Sequence, residues 1–127
     1  MGVKTYKELL VWQKSMELVK IIYELVRELP KEELFALSAQ MRRSAISLPS
    51  NIAEGAERDS TKEFIHFINI AQGSRAELET QTLLCESIGY LKREETDKTI
   101  ELLSEIGRML SDLKRALNSS HTHRTTI

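Results

Sequence analysis

One cysteine, two prolines, five glycines and no large excess of either charge in 127 residues narrow the possibilities before any motif is read. A lone Cys85 excludes a disulfide framework and a thiolate metal site. With no histidine near it in sequence, it reads as a buried structural thiol and not as a nucleophile. The shortage of glycine and proline, the abundance of Ala, Leu, Glu, Lys and Arg, and the lack of any sustained apolar–polar alternation exclude a β-rich fold. No segment approaches the roughly eighteen unbroken apolar residues of a membrane span, and the amino terminus has no signal-peptide run, so a cytoplasmic protein is expected. Gly2 follows Met1, but the hydroxyl residue is Thr5 where a myristoylation motif needs it at position 6. A net charge of −1 excludes the strongly basic balance of a dedicated nucleic-acid module. Acids and bases are mixed along the whole chain, as on solvated helix faces.

The chain is rich in helical periodicity. The organising stretch is 41–58, MRRSAISLPSNIAEGAER. Leu34, Leu37, Met41, Ala45, Leu48, Ile52 and Ala56 keep the spacing of one helical face straight through Pro49. Proline removes the N–H that would bond the Ala45 carbonyl, so the expectation is one long kinked helix, with Ser47, Ser50 and Asn51 placed to satisfy the freed backbone groups. A second row, Phe35, Ala39, Ile46 and Ala53, widens the apolar arc beyond half the circumference. Such a helix needs cover on two sides, which a central position provides, or contact with another subunit as well as with its own bundle.

Three further helices follow from similar signals. Thr5-Tyr6-Lys7-Glu8 has the form of a capping box and opens a helix that Pro30 closes, with Leu9, Trp12, Met16 and Val19 beside Val11, Leu18, Ile22 and Leu25. Ser60-Thr61-Lys62-Glu63 is a second capping box, opening a helix that Gly89-Tyr90 ends. Gly73, in the middle of that helix, marks a close approach to another backbone near Gly55. The fourth helix, from about Glu94, carries Leu103, Ile106, Leu110, Leu113 and Leu117, and Asn118-Ser119-Ser120 is expected to stop it. Trp12, Met41, Ile52, Phe67, Leu78 and Leu110 are the predicted core. The fold class is therefore all-α, an up-down-up-down four-helix bundle with a proline-kinked second helix. Residues 1–118 form its single domain and residues 119–127 a polar, flexible tail.

A four-helix bundle invites a di-metal carboxylate site, whose chemistry needs two Glu-x-x-His pairs. Glu63-Phe64-Ile65-His66 is one such pair. No second exists, because the other histidines are His121 and His123 in the tail. Phosphate-binding glycine loops, a nucleophile elbow and a Cys/His pair are also missing. Glu77 and Glu79, two apart on a helix, point away from each other. The sequence thus predicts no catalytic residue, no metal and no cofactor.

Val11-Trp12-Gln13, the run Ser47-Leu48-Pro49-Ser50-Asn51-Ile52-Ala53-Glu54-Gly55 after Arg42-Arg43, and Ala71-Gln72-Gly73-Ser74-Arg75-Ala76-Glu77-Leu78-Glu79-Thr80 leading to Gly89-Tyr90-Leu91 occur in this order. Together they resemble the bacterial four-helix-bundle family encoded in 23S rRNA intervening sequences, over about residues 5–117. That family is similar to the accessory proteins of diversity-generating retroelements. The resemblance implies a homopentameric ring, no catalytic residues, and a structural motif at Pro49, Asn51, Glu54, Gly55, Gly73 and Glu77. Two readings of function stand side by side. In one, a non-enzymatic homo-oligomer associates with RNA or a ribonucleoprotein, and Arg42, Arg43 and Arg58, repeated by symmetry, form a basic surface that the net charge conceals. In the other, the oligomer is a protein-interaction scaffold and those arginines pair with Glu54, Glu57 or a neighbouring subunit's acids.

Overall fold

The computed structural model describes residues 5–125, with side chains through residue 119. Four helices carry the fold: α1 Leu10–Leu25, α2 Leu37–Ala56, α3 Thr61–Ile88 and α4 Arg93–Thr125. They pack in a ring, α1 on α2, α2 on α3, α3 on α4 and α4 back on α1, and among the described residues no backbones approach closely across either diagonal. Met41 meets Cys85 while Ser47 meets Ser74, so α2 and α3 run antiparallel. Glu86 meets Arg93 while Gln72 meets Gly107, so α3 and α4 do likewise. No helix among the described residues is long and apolar enough to cross a membrane.

The centre is filled from all four helices. Leu18, Ile22, Met41, Leu48, Ile52, Ile68, Leu78, Leu103, Ile106 and Leu110 are almost completely removed from water. Each large aliphatic side chain so buried contributes roughly 1.5–3 kcal/mol. Of the six expected core residues, Met41, Ile52, Leu78 and Leu110 are buried, whereas Trp12 and Phe67 are only partly so. Both rings have neighbours from the surface. Tyr6 meets Trp12 edge-on at 5.4 Å between centroids, and the Arg58 guanidinium lies 4.9 Å from the Phe67 centroid.

The ends of the elements depart from the periodicity in three places. The first helix does not start at Thr5: Tyr6–Glu8 is one 3-10 turn, Leu9 is extended with ψ 123°, and α1 begins at Leu10. The Thr5 hydroxyl accepts from Lys7 N at 3.4 Å, and Glu8 N goes to the Thr5 carbonyl, so the threonine does not cap Glu8 N as expected. Gln13 Nε2 donates to the Lys7 carbonyl instead, fastening the turn to α1. At its other end α1 tightens into a 3-10 turn at Val26–Glu28, and Leu29 is extended, as the residue before Pro30 prefers.

The second difference is at the start of α2. Lys31–Glu33 forms another 3-10 turn and Ala36 breaks the helical path, so Leu34 and Phe35 lie outside α2 and outside its apolar rows. Phe35 is 91% exposed. Glu33 holds this corner. Its Oε1 accepts from Leu37 N at 3.3 Å, favourable at a helix N-terminus, and its Oε2 accepts from the Tyr90 hydroxyl at 2.8 Å. The connection between α1 and α2 is thereby tied to the turn between α3 and α4. From Leu37 onward α2 runs uninterrupted through Pro49, as its unbroken phase predicts.

The third difference is at the far end. α4 does not stop at Asn118-Ser119-Ser120 but runs through to Thr125, since asparagine and serine only weaken a helix and no glycine or proline follows to break it. The expected boundaries of α3 hold. Ser60 Oγ accepts from Glu63 N at 3.1 Å, and Gly89, with φ 96°, ends the helix in the left-handed region. There the N–H groups of Gly89, Tyr90 and Leu91 all converge on the Cys85 carbonyl.

Candidate nucleic-acid interface

The three arginines singled out from the sequence lie on or just beyond α2, but they are not one cluster. Arg42 and Arg43 stand near its start and Arg58 past its end, roughly 20 Å along the axis at the rise of an α-helix. That exceeds the screening length of about 10 Å at 0.1 M salt, so within one chain they act separately. Arg42 donates to the Leu34 carbonyl at 3.4 Å. Arg58 is committed to the Glu54 carboxylate at 2.7 Å and to the Phe67 face. Arg43 is exposed and without a hydrogen-bond or ion-pair partner among the described residues.

The residues after Pro49 form a packing device. Asn51 Nδ2 donates at 2.8 Å to both the Ser47 carbonyl and the Ser47 hydroxyl, one turn back, and not to the Ala45 carbonyl that proline leaves without its donor. The Ser47 hydroxyl is in turn hydrogen-bonded to Ser74 of α3 at 2.7 Å. Gly55 is the close-approach glycine: a β-carbon there would stand 2.7 Å from Phe67 Cβ and 3.3 Å from the Phe64 carbonyl. Gly73 is not. It is exposed, and a β-carbon on it would meet nothing within 4 Å, so the expectation of a close approach at Gly73 is corrected. The buried neighbour is Ser74, one residue on, which faces α2 where Gly73 faces outward. Glu77 is exposed, while Glu79 turns to Arg75 at 3.7 Å.

A second polar region went unread in the sequence. Between α3 and α4 lies an open cleft of about 550 Å³, lined by Gln72 and Arg75 on one side and by Ser104, Gly107, Arg108, Ser111, Asp112 and Arg115 on the other. Gln72 Nε2 donates to the Gly107 carbonyl at 3.1 Å and to Ser111 Oγ at 3.2 Å, while its Oε1 accepts from Arg75 Nε at 2.6 Å. Gly107 makes room for this arrangement, because a β-carbon would come within 2.8 Å of Arg75 Nε. The sequence signal was a buried glycine in mid-helix at a cost of about 1 kcal/mol, together with arginines seven residues apart on one face of α4.

The groups considered for other chemistry are otherwise engaged. The Glu63 carboxylate accepts from the Ser60 hydroxyl at 3.2 Å, and His66 packs edge-on against Phe67. No group of three or more His, Cys, Asp or Glu among the described residues is placed to hold a metal ion. The side chains of His121 and His123 lie outside the described residues. Cys85 is buried with its thiol 3.6 Å from Met41 Sδ, and burial pushes it up to about 11. A thiol held so firmly protonated is a poor nucleophile.

No curated protein matches this chain. Among solved structures, it is similar to a protein of unknown function from the S23 ribosomal protein family of Bacteroides thetaiotaomicron, with a TM-score of 0.77 and 29% identity over 83% of this chain and 98% of that one. The family model described as 23S rRNA-intervening sequence protein matches residues 7–112, from before α1 into α4, and the chain therefore belongs to that family.

Proposed function

We propose that this protein is a non-enzymatic bundle that assembles with copies of itself and associates with RNA or a ribonucleoprotein. The observation that carries the assembly is the apolar surface left on the outer faces of α1 and α2. Met16 and Tyr23 on α1 and Ile46 on α2 are each at least 40% exposed. Between these helices runs a groove of about 340 Å³ lined by Trp12, Met16, Val19, Ile46, Pro49 and Ala53. A largely apolar groove of this kind, with Ser50 also on its wall, favours burial against a partner, and a second copy supplies an identical face. The association with RNA is supported by the family to which the chain belongs. Arg43 is the arginine of α2 best placed to contact phosphate, being exposed and uncommitted. A scaffold for another protein is favoured by one observation, the closed pairing of Arg58 with Glu54.

Sedimentation at micromolar concentration tests the assembly: a homo-oligomer is expected, and a monomer overturns it. Binding to labelled RNA across a salt series tests the rest, with affinity falling steeply as salt rises if phosphates are contacted. Arg43→Glu leaves the oligomer intact, weakens RNA binding and makes the salt dependence shallower. Dissociation of that variant, with no RNA affinity of the parent protein at low salt, establishes the scaffold reading instead.

A further inference from the structure

We infer that the cleft between α3 and α4 is a phosphodiester-binding subsite, in which Arg75 and Arg108 at one level and Arg115 at another contact phosphates of one RNA strand. The inference rests on the RNA-associated reading above but places the contact on a different face from the α2 arginines.

Arg75 is held before any ligand arrives. Its Nε is fixed by Gln72, which is itself anchored on the Gly107 carbonyl and the Ser111 hydroxyl, and the space its guanidinium occupies exists only because residue 107 has no side chain. A guanidinium set in place this way loses little freedom on meeting an anion. Arg108 has no hydrogen-bond or ion-pair partner among the described residues, so the fold leaves its charge unused. Among the described residues Arg115 pairs with Asp112, three residues back on the same helix, with both side chains more than 70% exposed. Such a pair is worth little in water and yields to a phosphate that offers bidentate acceptance. Ser104 and Ser111 add hydroxyl donors to the wall of the cleft.

The acids present do not close the site. Glu79 reaches Arg75 at 3.7 Å and Asp112 holds Arg115, which leaves Arg108 as the surplus positive charge. The spacing selects the ligand. Arg108 and Arg115 are two turns apart on one face, about 10 Å along the axis. Positive charge is therefore offered at two levels of the cleft, Arg75 and Arg108 beside Gly107 and Arg115 two turns further on, which suits an extended strand better than one compact ion. The apolar groove lies between α1 and α2, so self-assembly there leaves the cleft open.

The test is fluorescence anisotropy of the full chain with a labelled polyuridylate across a potassium chloride series, comparing Arg108→Gln, Arg115→Gln and Arg43→Gln, with circular dichroism confirming that each variant is folded. Arg108→Gln and Arg115→Gln are each expected to weaken binding several-fold at low salt and to reduce the slope of log affinity against log salt by about 1. Gly107→Ala, which displaces Arg75, is expected to weaken binding without lowering the melting temperature. Wild-type affinity in both cleft variants alongside a loss in Arg43→Gln overturns the cleft while the RNA reading survives. No binding by the parent protein at low salt overturns both. Binding of inorganic pyrophosphate without affinity for the polymer, or equal competition by polyglutamate, overturns the assignment to a phosphodiester strand.

Discussion

Gly55 lies against Phe67 with no room for a side chain, since a β-carbon on the glycine would stand 2.7 Å from the β-carbon of the phenylalanine. Neither atom is the far end of a flexible side chain, so relief requires α2 and α3 to move apart. Gly55→Ala is expected to cost about 1–3 kcal/mol despite the better helix propensity of alanine. Gly73→Ala, where the added methyl enters open space, is expected to gain roughly 0.5–1 kcal/mol. Urea titration of the two variants checks both signs, and equal midpoints would remove the distinction between the glycines.

Leu78 is fully buried at the centre of α3. Leu78→Ala is expected to cost roughly 2–5 kcal/mol, the range set by how far the surrounding helices collapse into the space. The check is the chemical denaturation midpoint at constant slope.

Asn51 ties its own turn of α2 without facing the proposed ligand. Asn51→Ala is expected to lower stability by about 1 kcal/mol and to leave the RNA affinity of the folded protein unchanged. A variant with parental stability and weakened binding makes Asn51 a contact residue instead.

Cys85 gives the protein a sign of pH dependence at the alkaline end. Burial raises the thiol from the ordinary 9.0 to about 11, so above pH 9 the unfolded chain holds fewer protons than the folded one. The contribution is complete below about pH 9 and is lost as the pH rises through about 11. The expected outcome is a native thiol that resists alkylation at pH 8 and reacts once the chain is unfolded, with stability falling across that alkaline window.

The four helices and most of their inward faces were legible because helical period, a capping serine and a left-handed glycine are local signals, and Leu18, Met41, Ile52 and Leu110 obey them. The corners were not. A tyrosine fifty-seven residues away fixes Glu33 and helps set where α2 begins, which no window of sequence reveals, and so Leu34 and Phe35 were read into a helix they precede. Gly73 drew the expectation of a close approach, whereas Gly107, which drew none, is the one that has Arg75 against it. The property that separates them, what a β-carbon would touch, exists only once α3 and α4 are side by side. Arg42, Arg43 and Arg58 were grouped on the expectation of a ring that repeats them by symmetry, whereas Arg75 and Arg108 line one cleft from two different helices.

The hydroxyls of Ser15 and Thr82 bond to carbonyls of their own helices and would do so wherever those helices slid. Ser47 with Ser74, and Gln72 with Gly107 and Ser111, are different, because each joins two helices at one axial setting. A slip by one helical turn, about 5.4 Å, would separate both sets of partners. Because Gln72 and Ser74 sit two residues apart on α3, that helix acts as the ruler against which α2 and α4 are both indexed. Aliphatic side chains alone would accept neighbouring registers, and these few polar atoms select one.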